Sequence, residues 1–126
     1  MKFDELKLII KSESQKISNS FDESSEIISS AIFALDKQNI IELTKEIGAI
    51  PEDISHDSTE EKLYSKATDI LLAKIFHELG FRSIVNKERA NCADVIVKSQ
   101  LHGYTFVADA KAFRLSRTAK NQKDLK

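Results

Sequence analysis

Near Gly80 the hydrophobic residues of this chain change their spacing, and that change limits the fold to helices first and strands second. Before Gly80, apolar side chains recur three and four positions apart, the period of a helix with one buried face. Phe3, Leu6, Ile10 and Ile17 form one such face, and Phe21, Ile28, Ile32 and Leu35 a second, with Ser20 as a candidate cap. Ile40, Leu43 and Ile47 form a third, with Gly48 as its expected stop. Pro51 then opens a polar loop through Asp57. Ser58-Thr59-Glu60-Glu61 reads as a capping box, in which the serine oxygen and the Glu61 carboxylate would satisfy free N–H groups reciprocally. The helix it starts carries Leu63, Ala67, Ile70, Lys74 and Leu79, widened by Leu71 and Phe76, and ends at Gly80. After that point β-branched runs take over. Ala93-Asp94-Val95-Ile96-Val97 and Tyr104 to Lys111 are expected strands, joined by a turn at Gln100-Leu101-His102-Gly103. Phe81 to Val85 is a weaker strand before both. The fold class is therefore α/β, of the α+β kind, in a single domain. A helical segment covers residues 1–57, and residues 58–126 lead through a β-hairpin.

Three glycines and one proline among 126 residues allow few tight turns, which again favours long helices. The longest apolar runs, such as Ile70-Leu71-Leu72-Ala73, are too short to span a bilayer. The opening Met1-Lys2-Phe3-Asp4-Glu5 is too acidic for a signal peptide. The single cysteine, Cys92, excludes an internal disulfide, and a cytoplasmic location follows as the expectation. The net charge of -1 conceals a gradient: residues 1–65 carry 14 acidic and 7 basic side chains, whereas residues 111–126 carry six basic residues and only Asp124. A strongly basic end points to an anionic partner there, and on charge alone a solvated terminus fits equally. Arg114, Arg117, Lys120, Lys123 and Lys126 recur every third residue, a spacing that draws a broad basic stripe on a helix starting near Ser116.

Asp109-Ala110-Lys111 places two charged side chains on one face at the end of a strand. In an antiparallel hairpin the start of one strand lies beside the end of the next, so Asp94 and Asp109 are expected to be neighbours. Like charges that close need a positive group between them. Oxygen donors select Mg²⁺, which makes Asp94 and Asp109 candidate metal ligands. Such a centre suits phosphodiester hydrolysis, with Lys111 orienting a water and offsetting charge on the phosphate. On pattern alone a strand-end salt bridge between Asp109 and Lys111 is as good a reading. His56, His77 and His102 lack metal-ligand spacing and are expected on the surface. Cys92 has no histidine close in sequence and is expected to be an inert, buried thiol.

Longer strings are more specific. Val107-Ala108-Asp109-Ala110-Lys111-Ala112-Phe113-Arg114-Leu115-Ser116-Arg117-Thr118-Ala119-Lys120-Asn121-Gln122-Lys123-Asp124 resembles the HindIII family of type II restriction endonucleases, within the PD-(D/E)xK superfamily. Ser58-Thr59-Glu60-Glu61-Lys62-Leu63, and Asp94-Val95-Ile96 at the same separation from Asp109, resemble it too. The resemblance runs from about Ile40 to Lys126. It implies a Mg²⁺-dependent enzyme that cuts double-stranded DNA at a short palindrome as a homodimer. By the same resemblance Asp94, Asp109, Lys111 and Asp124 match active-site positions. A functional glutamate of the family falls at Lys87 in a gapless register, so Glu88 serves after a shift of one residue or the chain lacks that carboxylate. Glu61 matches as well, although capping already explains it. With the resemblance, Arg114, Arg117, Lys120 and Lys123 become candidate phosphate contacts. Enzymes of this family continue well past the residue matching Lys126. The alternative expectation is therefore a truncated, inactive fragment that binds DNA weakly and without sequence preference.

Overall fold

The computed structural model describes residues 3–47, 49–85, 94–99, 103, 105–109 and 113–114. Helices α1 (Phe3–Ser14), α2 (Phe21–Phe33) and α3 (Lys37–Thr44) come first. A short β1 (Ala49–Ile50) and a long α4 (Thr59–Glu78) follow, and then strands β2 (Arg82–Val85), β3 (Val95–Lys98), β4 (Thr105–Ala108) and β5 (Phe113–Arg114). The α+β order read from the spacing is the order observed, including the weaker strand after Gly80.

Local chemistry sets the helix ends. Ser20 Oγ accepts from the Glu23 N–H at 3.1 Å and the Glu23 carboxylate accepts from the Ser20 N–H at 3.4 Å, a complete capping box on α2. Asp36 caps α3 by accepting from the Asn39 N–H at 2.9 Å. At α4, Ser58 Oγ accepts from the Glu61 N–H at 3.1 Å, but the return bond differs from the expected one. Glu61 Oε1 accepts from the Asp57 N–H at 3.0 Å, one residue upstream of the cap. Asp57 takes a positive φ of 58°, which turns its N–H toward the helix. The far end of α4 closes with Gly80 at φ 92°. Gly80 N–H donates to His77 O at 3.0 Å and Phe81 N–H to Phe76 O at 3.1 Å, the paired bonds of a Schellman ending. The apolar contact that accompanies such an ending is the edge-on pair Phe76–Phe81, with centroids 6.0 Å apart.

Two apolar expectations fail for geometric reasons. Ile17 is fully exposed, because α1 stops at Ser14 and tight bonds from Gln15 to Ser12 and from Lys16 to Glu13 turn the chain away. Leu79 is also exposed, since it lies five positions beyond Lys74 and so falls off the buried face.

Helix α4 is the spine of the molecule. On one side Leu63, Tyr64, Ala67, Ile70 and Leu71 pack with Leu6, Ile10, Ile28, Ile32, Ile40 and Leu43 from the earlier helices. On the other side Ala73 meets Val95 and Val97 of the sheet, while Phe33 and Val85 touch both clusters. Strands β2, β3 and β4 form an antiparallel meander in the order β2-β3-β4. The hairpin is thus braced by a third strand and a helix, as a pair of strands in water could not be. Ser83 Oγ donates to Ala73 O, pinning β2 to α4. Phe76, Phe81 and Phe106 form a mutual edge-to-face trio with centroid separations of 5.5 to 6.0 Å. A second, parallel pairing joins β1 to β5 through Ala49↔Phe113 and Ile50↔Arg114.

Candidate active site

The register of the meander positions the chemistry. Val95 pairs with Ala108, so the next residues along, Asp94 and Asp109, meet at the end of the β3–β4 ladder. They are joined by a hydrogen bond: the Asp94 N–H donates to Asp109 Oδ1 at 3.0 Å. Asp94 is half-buried and Asp109 is exposed. The Asp94 main-chain N–H, a neutral donor, fixes the orientation of the Asp109 carboxylate. Every residue but proline carries such a donor, so residue type gave no signal for it.

Alternation along the strands defines the face. Val95, Val97, Phe106 and Ala108 turn inward to α4. Ile96, Lys98, Thr105 and Val107 take the opposite face, and Asp94 and Asp109 occupy positions of that outward set. The hairpin's inner side, seated on α4 by Ala73 and Phe76, is therefore what holds the aspartates at the sheet's open end.

Other candidates fall differently. Arg114 lies in β5, its backbone paired with Ile50. Glu88, Cys92, His102, Lys111, Arg117, Lys120, Lys123 and Asp124 lie outside the described residues, as do the expected turn at 100–102 and the basic helix near Ser116. Glu61 is committed at the start of α4, with one oxygen on the Asp57 N–H and the other 3.8 Å from His56 Nδ1. His56 and His77 are exposed, as expected, and the His77 ring lies 5.9 Å from that of Phe33.

An exposed Asp109 carboxylate, with the half-buried Asp94 across the end of the ladder, fits Mg²⁺, which binds through one or two carboxylates and retains several waters. Among the described residues no group of three or more His, Cys, Asp or Glu side chains is gathered at one point. No helix among them is long and apolar enough to cross a membrane.

A model of the HindIII restriction endonuclease family matches residues 6–126. This chain belongs to that family. It is 50% identical over 106 residues to the type II restriction enzyme HindIII of Haemophilus influenzae, a match covering 84% of this chain and 35% of that enzyme. The chain thus spans about a third of the length of its HindIII relative. The HindIII match reaches well before Ile40, so the helical layer of α1 and α2 belongs to the family along with the hairpin.

Proposed function

We propose that this chain carries the metal-binding hairpin of a Mg²⁺-dependent type II restriction endonuclease that hydrolyses double-stranded DNA at a short palindrome. The observation that carries the reading is the Asp94–Asp109 juxtaposition, held by the 3.0 Å amide bond, in a member of the HindIII family. Asp94 and Asp109 would hold the ion. When bound, Mg²⁺ supplies Lewis acidity at the phosphate and lowers the pKa of a water. The Asp94 amide keeps the Asp109 carboxylate aimed without a rotamer search. Lys111, two residues on, is assigned to the attacking water and to the charge that grows on the phosphate oxygens. Glu88 and Asp124 are assigned as further acidic groups, and Arg114, Arg117, Lys120 and Lys123 as contacts to the DNA backbone. The complete enzyme would act in the cytoplasm as a homodimer, one subunit for each strand.

The 35% coverage of the relative favours a second reading for the 126 residues by themselves: salt-sensitive binding to any duplex without discrete fragments. Calorimetry with Mg²⁺ and Mn²⁺ on the unaltered chain and on Asp109→Ala tests the metal assignment. A saturable binding heat should appear with the first and not with the second, and equal heats would dismiss the site. In a complete enzyme bearing these residues, Lys111→Ala should abolish turnover while leaving most of the DNA affinity.

A further inference from the structure

Between α2, α4 and the end of β2 lies a crevice of about 190 Å³ that the catalytic reading does not use. Ser25 of α2 lines it and is only 8% exposed. Among the described residues the Ser25 hydroxyl is buried with no hydrogen-bond partner. Such an orphan is costly, and nearly all buried polar groups in folded proteins find a partner. A serine hydroxyl rotates to suit its surroundings, so it can turn to whatever fills the space beside it. Ser29, one turn further along α2, adds a second serine to the wall.

The charges of the lining are uneven. Asp22 and Glu26 are exposed and stand one turn apart on α2. Carboxylates at that spacing share a side of the helix and repel each other. Lys66 of α4 is the cation of the lining, so two carboxylates against one ammonium leave one negative charge over. Phe21, Ile70 and Val85 supply the apolar remainder.

We propose that this crevice binds a small organic monocation, a primary ammonium on a compact apolar body. The ammonium donates to the Ser25 hydroxyl and lies beside Asp22 and Glu26, while the body rests on Phe21, Ile70 and Val85. One positive charge cancels the excess of the lining, whereas a dication would meet Lys66. Water alone would serve the hydroxyl but leave the apolar wall wet. Volume sets the size. An apolar cavity of about 150 Å³ admits benzene, so about 190 Å³ takes about two heavy atoms more, the size of benzylammonium. Val85 pairs with Val95, the residue after Asp94, so an occupant joins α2 to the strand that braces the aspartates. Nothing in this assignment depends on the metal or on DNA.

Titration of the isotope-labelled chain with benzylammonium at neutral pH, followed by amide chemical shifts, tests the site. Saturable shifts should centre on Ser25, Ser29, Lys66, Ile70 and Val85. Benzyl alcohol keeps the body without the charge and should bind more weakly, and phenylacetate more weakly still. Ser25→Ala should weaken benzylammonium about tenfold or more, the loss of one hydrogen bond to a charged group. The same variant without ligand should keep the Tm of the unaltered chain or exceed it, because it deletes an unpaired hydroxyl. Ser29→Leu should fill the crevice and abolish binding, whereas Ser30→Leu, at an exposed position on the same helix, should not. No saturable shifts with benzylammonium would mean that the crevice holds water only, and the proposal would fall. Shifts centred elsewhere would overturn it as well. Tightest binding by phenylacetate would make Lys66 the anchor and the ligand an anion, against the proposal. Undiminished binding to Ser25→Ala, or a marked fall in its Tm, would show that the hydroxyl is not held for a ligand.

Discussion

Replacing Lys74 by methionine isolates what one buried amine does for the frame beneath the site. Lys74 sits on the face of α4 that turns toward α2, with only 6% of its surface exposed. Its stem packs as an apolar residue would, and its Nζ lies 5.3 Å from the Phe33 ring centre. The amine donates to Phe33 O at 3.0 Å, satisfying a carbonyl in the last turn of α2 that has no partner within its helix. It also pairs with Glu78 at 2.8 Å. Methionine preserves the stem and deletes both polar contacts. A hydrogen bond from a charged donor contributes about 1.5–3 kcal/mol net, so Lys74→Met should cost about 2 kcal/mol. For a domain of this size that lowers Tm by roughly 8 °C. The ion pair is the smaller share, because Glu78 is more than a third exposed and its pairing is screened by water. Glu78→Gln should therefore shift Tm much less than Lys74→Met. The Lys74 hydrogen bond holds the Glu78 carboxyl below its usual range, so that pair stabilises the fold above the unfolded carboxylate pKa. Its contribution fades as pH falls through the depressed value, and the gap between wild type and Lys74→Met should narrow there. Urea denaturation followed by circular dichroism at neutral and acid pH measures all three. If Glu78→Gln proved as damaging as Lys74→Met, the carbonyl contact would not be the main term and the reasoning would fail.

Two further outcomes follow from the same structure. Ser20→Ala removes the acceptor for the Glu23 N–H and with it half of the α2 capping box, and should cost about 1 kcal/mol by denaturant unfolding. Stability should also fall at both pH extremes. Glu13 is held low chiefly by its hydrogen bond from Lys16, so its contribution is present above the unfolded carboxylate pKa and disappears in acid. Burial, with Glu60 and Asp53 adding to it, pushes the Tyr64 hydroxyl up, so its contribution is present below the unfolded tyrosine pKa and is lost as pH rises beyond it. A pH titration of Tm that stayed flat on either limb would count against the corresponding group.

What the sequence discloses depends on whether a feature has a period. The helical faces of Leu6 with Ile10, Ile28 with Ile32, and Leu63 with Ala67 and Ile70 repeat over several turns, and all are buried as expected. The hairpin is two β-branched runs joined by a short turn, and antiparallel pairing sets the start of one beside the end of the other, which is why Asp94 and Asp109 could be paired in advance. The pairing of β1 with β5 could not, because two-residue strands have no measurable period and their partners lie far apart in the chain. The α4 cap was half legible: Ser58 is a matter of residue type, whereas the return bond depends on the positive φ of Asp57, which is a matter of backbone geometry. The same holds for the amide between the two aspartates.

The β1–β5 pairing bears on how the molecule is assembled. Ile50 is buried in the core built by the early helices, and its strand holds β5, which starts four residues after Asp109. Closing a loop that long costs chain entropy that only the finished pairing returns. The α2 and α4 contacts, made over shorter separations, can form earlier. The clasp should therefore close late in folding and be among the first parts to open under native conditions, giving amides around Ile50 faster hydrogen exchange than those in the middle of α4. A hairpin tied down last would settle into its final geometry only once the helical layer behind it had already formed.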